Sequence, residues 1–205
     1  MVKIEQPNIL VVEGREEELF FEAFIRDLSL RDIQIMPIGG KERLRRNLKA
    51  LKLSPGFARV TSLTVVRDAD EDPKAAFQSV RDALQAVNLA VPEYPFVSVG
   101  HSPRVAVVIL PEGNMTGALE DLCLRAVEQD PALLCVERYF QCLEEQGLPL
   151  PVNMSKARVQ VFLASRHRAG LRLGEAAQVG YWPWKAKAFE QVRNFLKQIG
   201  SQSKG

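Results

Sequence analysis

The sequence predicts an α/β fold: a mainly parallel sheet with an antiparallel edge, flanked by helices and followed by a helical C-terminal part. Three observations predict it. Short apolar runs rich in β-branched residues alternate with longer segments of helical apolar spacing through the first 130 residues or so. Two apolar runs, YPFVSVG and RVAVVILP, flank the turn-like HSPR and suggest a hairpin or closely paired edge. From Pro131 on, every periodic segment reads as helix. The expected division is an α/β core over residues 1–130 and a helical extension over 131–200 packed on it.

The first element is NILVVE, residues 8 to 13, a buried strand that delivers Glu13 at its end, with Gly14 allowing a sharp turn. REEELFFEAFIRDL follows as a helix, with Leu19, Phe20, Ala23, Phe24 and Leu28 on one face. Helix-dipole complementarity accounts for Glu16 and Glu18 in its first turn. Glu17 lies one turn beyond Glu13 and within reach of the same cation. IQIMPI, residues 33 to 38, reads as the second strand, leading into Gly39, Gly40 and Lys41. GGK lacks the spacing of a P-loop, but a helix start with two glycines offers free N–H groups to an anion, with Lys41 beside it. KERLRRNLKALK is then a helix with Leu44, Leu48 and Leu51 inward and a basic, solvated remainder.

The chain is organised around VVRDADEDP, residues 65 to 73. An apolar strand beginning near Leu63 ends in Asp68, Asp70 and Asp72. Ligands of parallel α/β sheets bind outside the carboxyl ends of the strands. Carboxylates gathered there repel one another unless a cation sits between them, and oxygen-only ligands suit Mg²⁺ or Mn²⁺. Asp72 before Pro73 equally fits a helix cap. KAAFQSVRDALQAV is the next helix. After the RVAVVILP strand, Gly113, Asn114 and Gly117 form a loop, and a helix starting near Thr116 carries Glu120 toward the same sheet edge. The later helices are ALLCVERYFQCLEEQ, SKARVQVFLASR, LGEAAQ and WKAKAFEQVRNFLKQI. Trp182 and Trp184 read as packing anchors. Lys156, Arg158, Arg166, His167, Arg168 and Arg172 form a second basic cluster, and the tail GSQSKG reads as frayed.

Composition excludes several classes. A 46% apolar and 25% charged chain of 205 residues is an ordinary soluble globular one, and no apolar run approaches a membrane span. The net charge of +2 gives no global field toward nucleic acid or anionic membrane. MVKIEQPN has no apolar signal region. Cys123, Cys135 and Cys142 match no zinc spacing and read as small core residues in a reducing compartment, so the expected location is the cytoplasm.

Glu13 at a first strand end, a GG turn after the second and D-A-D at the third together resemble a Toprim domain, over roughly residues 7 to 115. The resemblance implies a Rossmann-like sheet on which Glu13, Asp68 and Asp70 hold Mg²⁺ (or Mn²⁺). ILPEGNMTGALEDL and LGEAAQVGYWPW resemble a small stand-alone group related to the OLD nuclease domain. That likeness implies Glu120 at a second metal and Lys156 as a phosphate partner, making Glu13, Asp68, Asp70 and Lys156 the catalytic set; Glu17 joins the metal ligands by its spacing from Glu13. Pro73 stands where topoisomerases and primases have glycine, and no zinc ribbon, tyrosine region or ATPase domain accompanies the module.

Two readings of function follow, with nucleic acid the implied partner and a homo-oligomer compatible with either. One is a metal-dependent phosphodiesterase; the other is a non-catalytic metal-binding module serving assembly. A nucleotide-binding Rossmann protein ranks last, because no G-x-G-x-x-G follows any expected strand.

Overall fold

The computed structural model describes residues 3–112 and 114–201. Gly113, placed above in a loop, and the end of the tail lie outside them. Four strands form one sheet: β1 (Asn8–Val12), β2 (Ile33–Pro37), β3 (Ser62–Asp68) and β4 (Arg104–Leu110). Their order is β2-β1-β3-β4, and every pairing is parallel. The β1 strand runs between two neighbours and is buried at all five positions, which is why Ile, Leu and Val follow one another without a break after Asn8. β2 lies at the edge, where Pro37 withholds no needed ladder donor.

Side chains alternate across the sheet and sort into two cores. Leu10, Val12, Val66 and Val108 face α1 (Arg15–Asp27), which contributes Phe20, Phe21 and Phe24. Ile9, Val11, Val65 and Val107 face α2 (Leu44–Lys52) and α3 (Pro73–Gln85). Helices therefore cover both faces, as parallel strands require. The chain leaves β1 toward β2 on one side and returns to β3 on the other. This strand order puts a crevice between β1 and β3 at their carboxyl ends.

The remaining helices, α4 (Leu119–Ala126), α5 (Pro131–Glu145), α6 (Met154–Ala164), α7 (Leu173–Gln178) and α8 (Glu190–Ser201), all join the core on the α1 face. Trp182 is buried there and donates from Nε1 to the Leu173 carbonyl at 3.0 Å, while Trp184 stacks on Phe24. Among the described residues, no helix is long and apolar enough to cross a membrane.

Three local expectations are corrected. The antiparallel edge reduces to a single bridge, Val99 to Val105, with the Phe96 N–H donating to the Val107 carbonyl. Pro92 and Pro95 remove donors, and Phe96 takes a left-handed φ of 63°, so no second strand can run there. The α4 helix begins at Leu119 rather than near Thr116, because Gly117, bridged to Asp70, takes a non-helical φ of 119° and Ala118 after it is extended. Only Cys123 is a core residue; Cys135 and Cys142 are exposed, seven residues apart on the face of α5 opposite Val136 and Phe140.

Candidate functional site

The crevice between β1 and β3 gathers the acids. Glu13 follows directly on β1, and Asp68 ends β3. Pleat parity separates their environments. Asp68 has the parity of Val66, on the α1 and α4 side, whereas Glu13 and Arg67 share the parity of Val11 and Val65 on the other. Glu17, in the first turn of α1, accepts from the Gly14 N–H at 2.9 Å, so it caps its own helix while facing the crevice. Glu120, in the first turn of α4, approaches from the other flank.

Asp68 is partly buried at the end of β3. Its Oδ1 accepts the Leu119 N–H at 3.0 Å, at the start of α4. Burial, then the charges of Glu17, Glu13, Glu120 and Asp70, pushes its carboxyl well above the ordinary range. Glu13 is raised by burial against the pull of Arg67, and Glu120 is raised by burial with Glu17 adding to it and Lys156 opposing. The expected acids thus come together from β1, α1, β3 and α4, closely enough to feel one another's charge.

Asp70 is held differently. It sits at a left-handed φ of 53°, which Asp tolerates better than most residues. Its N–H and C=O both bond to Gly117, at 2.9 and 2.7 Å, so its backbone is fixed. A side chain on Gly117 would collide with Asp121, whose Oδ2 accepts the Ala118 N–H. Ser155 in turn donates to Asp121 and ties the start of α6 to the start of α4. This clamp brings Glu120 and Lys156, one residue along from each, to the same side of the site.

Two cations of the chain itself stand among the acids. Lys41 pairs with Asp70 at 2.8 Å, so it lies on a carboxylate rather than at a free helix start. Arg67 spans Glu13 and Asp70 at 3.8 and 3.9 Å. Arg67 was not singled out from the sequence, although a charge inside the apolar run of β3 was its signal. Asp72 is a helix cap, accepting from the Lys74 and Ala75 N–H groups.

The donor chemistry fits a hard divalent ion: every acid offers oxygen, and Glu13 Oε1 is buried without a hydrogen-bond partner. As the side chains stand, no three His, Cys, Asp or Glu among the described residues form a ready cage for one. A cleft of about 740 Å³, lined by Lys41, Arg67, Asp70, Glu120 and Ser155, opens over the site.

Among solved structures, the fold is similar to a hypothetical protein, PH0156, from Pyrococcus horikoshii OT3. The TM-score is 0.63 at 16% identity, covering 95% of each chain. It is also similar to the C-terminal region of the Xanthomonas campestris pv. campestris OLD protein, with a TM-score of 0.52 at 11% identity over 98% of each chain. The fold is therefore like that of the OLD C-terminal region. No curated protein matches the chain. A family model described as Protein of unknown function (DUF3226) matches residues 7–201, and the chain belongs to that family.

Proposed function

We propose that this chain is a Toprim-like, Mg²⁺-dependent phosphodiesterase acting on nucleic acid. The observation that carries the reading is the convergence of partly buried acids at the β1–β3 crevice, with Glu13 Oε1 left without a hydrogen bond. Burying like charges together is costly unless a cation compensates them.

Glu13, Asp68 and Asp70 are the proposed metal ligands, with Glu17 and Glu120 flanking them. A bound Mg²⁺ or Mn²⁺ would polarise the phosphate and lower the pKa of a water at neutral pH. The chain's own contribution is orientation. The Leu119 N–H fixes the Asp68 carboxylate, and the double bond to Gly117 fixes Asp70. Lys41 and Lys156, on opposite sides of the acids, are placed to neutralise phosphate oxygens. The free cysteines fit a reducing, cytoplasmic setting.

The test is cleavage of labelled DNA and RNA with Mg²⁺ or Mn²⁺. The expected result is cleavage that chelation removes and that both Glu13→Ala and Asp68→Ala abolish. Turnover that survives both substitutions would remove this site from the reaction.

One observation favours a non-catalytic metal-binding module instead. Lys41 and Arg67 already neutralise part of the acidic cluster from within. That reading expects Mn²⁺ binding by calorimetry with no nucleic-acid affinity at low salt.

A further inference from the structure

The two edges of the sheet are finished differently. Outside β4 the chain folds back along the strand: the Phe96 N–H donates to the Val107 carbonyl, and Val99 and Val105 exchange bonds at 2.9 and 2.8 Å. Outside β2, nothing among the described residues pairs with the strand. Its sequence, IQIMP, holds no charged residue to turn a further strand away.

The parallel register with β1 fixes what β2 turns outward. The Asn8 N–H donates to the Asp32 carbonyl and the Ile38 N–H to the Val12 carbonyl. The backbone groups that meet β1 therefore belong to Asp32, Gln34, Met36 and Ile38. Those of Ile33 and Ile35 point away from β1, which leaves two N–H and two C=O groups along the open edge. Clefts flank this edge on both faces of the sheet. One, of about 560 Å³ on the α1 face, is lined by Leu30, Ile33 and Ile35, with Glu22 and Arg31 beside them. The other, of about 290 Å³ on the α2 face, lies between Met36, Leu48 and Leu51. A strand added here sends its alternate side chains toward the two clefts.

We propose that β2 pairs antiparallel with β2 of a second copy of this chain, about a two-fold axis at Gln34, joining the two sheets into one. The ends of the strand choose the register. Asp32 takes a left-handed φ of 62°, which stops the extended backbone before Ile33, and Pro37 has no N–H to offer. With Ile33 opposite Ile35 of the second copy, and Ile35 opposite its Ile33, every outward N–H and C=O of those residues is paired. Slipping the pairing by two residues sets Ile33 against Pro37, or Ile35 against Arg31 beyond the Asp32 bend. Charge agrees with the same axis. The Leu30 N–H donates to the Ile25 carbonyl, so the end of α1 lies by the start of β2 and the helix runs back along the strand. Glu22 thus stands toward the carboxyl end of β2 and Arg31 at its amino end. An antiparallel copy brings Glu22 of each chain to Arg31 of the other, whereas a parallel copy sets like charges side by side. The interface uses neither Glu13 nor Asp68, so the inference goes beyond the phosphodiesterase reading and does not depend on it.

Sedimentation of the full chain across a concentration series tests this, beside amide hydrogen exchange at Ile33 and Ile35. The expected result is a reversible dimer, with exchange at those two amides slowing as it forms. Ile35→Pro removes an N–H that faces away from β1 and is expected to weaken association by about tenfold. Arg31→Glu, at an exposed position, is expected to weaken it several-fold with unchanged thermal melting, and adding Glu22→Arg to it is expected to recover the dimer. A chain that stays monomeric, with both amides exchanging freely at every concentration, would overturn the proposal and leave this edge to an extended segment of another protein. A dimer that neither Ile35→Pro nor Arg31→Glu weakens would overturn it as well, because it would use another face.

Discussion

Asp68→Asn is expected to raise the melting temperature of the metal-free protein near neutral pH by roughly 2–4 °C, about 1 kcal/mol for a chain of this size. Asp68 is partly buried among Glu17, Glu13, Glu120 and Asp70, and its folded-state pKa lies well above the unfolded value. The sign follows from linkage. Below the ordinary carboxylate range Asp68 is protonated in both states, and its contribution to stability is fully present. As pH rises through the raised folded value, the native carboxyl must ionise against burial and four like charges, and that stability is lost. Glu13 and Glu120 are also raised and act in the same direction. The metal-free wild type should therefore be most stable in mild acid and weaken toward neutrality, and Asn at position 68 should flatten that fall. Mn²⁺ should restore stability to the wild type and not to the variant, since binding to the native state alone stabilises it. Thermal melts across pH, with and without Mn²⁺, measure both effects. A variant that melts below the wild type at neutral pH would show that the Asp68 carboxylate is already compensated in the native state.

Gly174→Ala is expected to destabilise the protein by about 2–3 kcal/mol, read as a lowered urea midpoint. A Cβ at Gly174 would stand 2.6 Å from the Glu16 carbonyl oxygen and 2.8 Å from Leu19 Cβ, both on α1. Neither can yield easily. The Gly174 N–H donates to Glu16 Oε2 at 2.8 Å, and Gln178 Nε2 donates to the Leu19 carbonyl at 2.7 Å, so α7 is fastened along the first turns of α1. The same turns carry Glu17, and pushing α7 off α1 shifts that carboxylate relative to Asp68. The variant should therefore bind Mn²⁺ more weakly as well as unfold earlier. A midpoint within experimental error of the wild type would show that α7 can move aside without cost.

Much of this architecture was legible in the residues. The β-branched runs at β1 and β3 read as buried parallel strands, because uninterrupted apolar sequence leaves no solvent face, whereas the run at β4 read as part of a hairpin edge and in fact lies parallel to β3. Glu13 and Asp68 were legible as site candidates for the same reason: an acid ending such a run arrives at the sheet's carboxyl edge. What stayed hidden depends on tertiary placement. The exposure of Cys135 and Cys142 follows from which side of α5 meets the core, and the helix pattern alone did not separate them from Val136 and Phe140. The Glu16 side chain, explained locally by the helix dipole, in fact accepts from Gly174, 158 residues along the chain. The reach of Lys41 to Asp70 and of Arg67 to Glu13 depends on strands meeting in the order β2-β1-β3, which periodicity does not specify.

Anomalous scattering from a Mn²⁺-soaked crystal tests the central claim most directly. A peak is expected at the carboxyl ends of β1 and β3, bonded to oxygens of Glu13 and Asp68, with Lys41 drawn off Asp70. A soaked crystal with Lys41 still on Asp70 and no ion between Glu13 and Asp68 would contradict it.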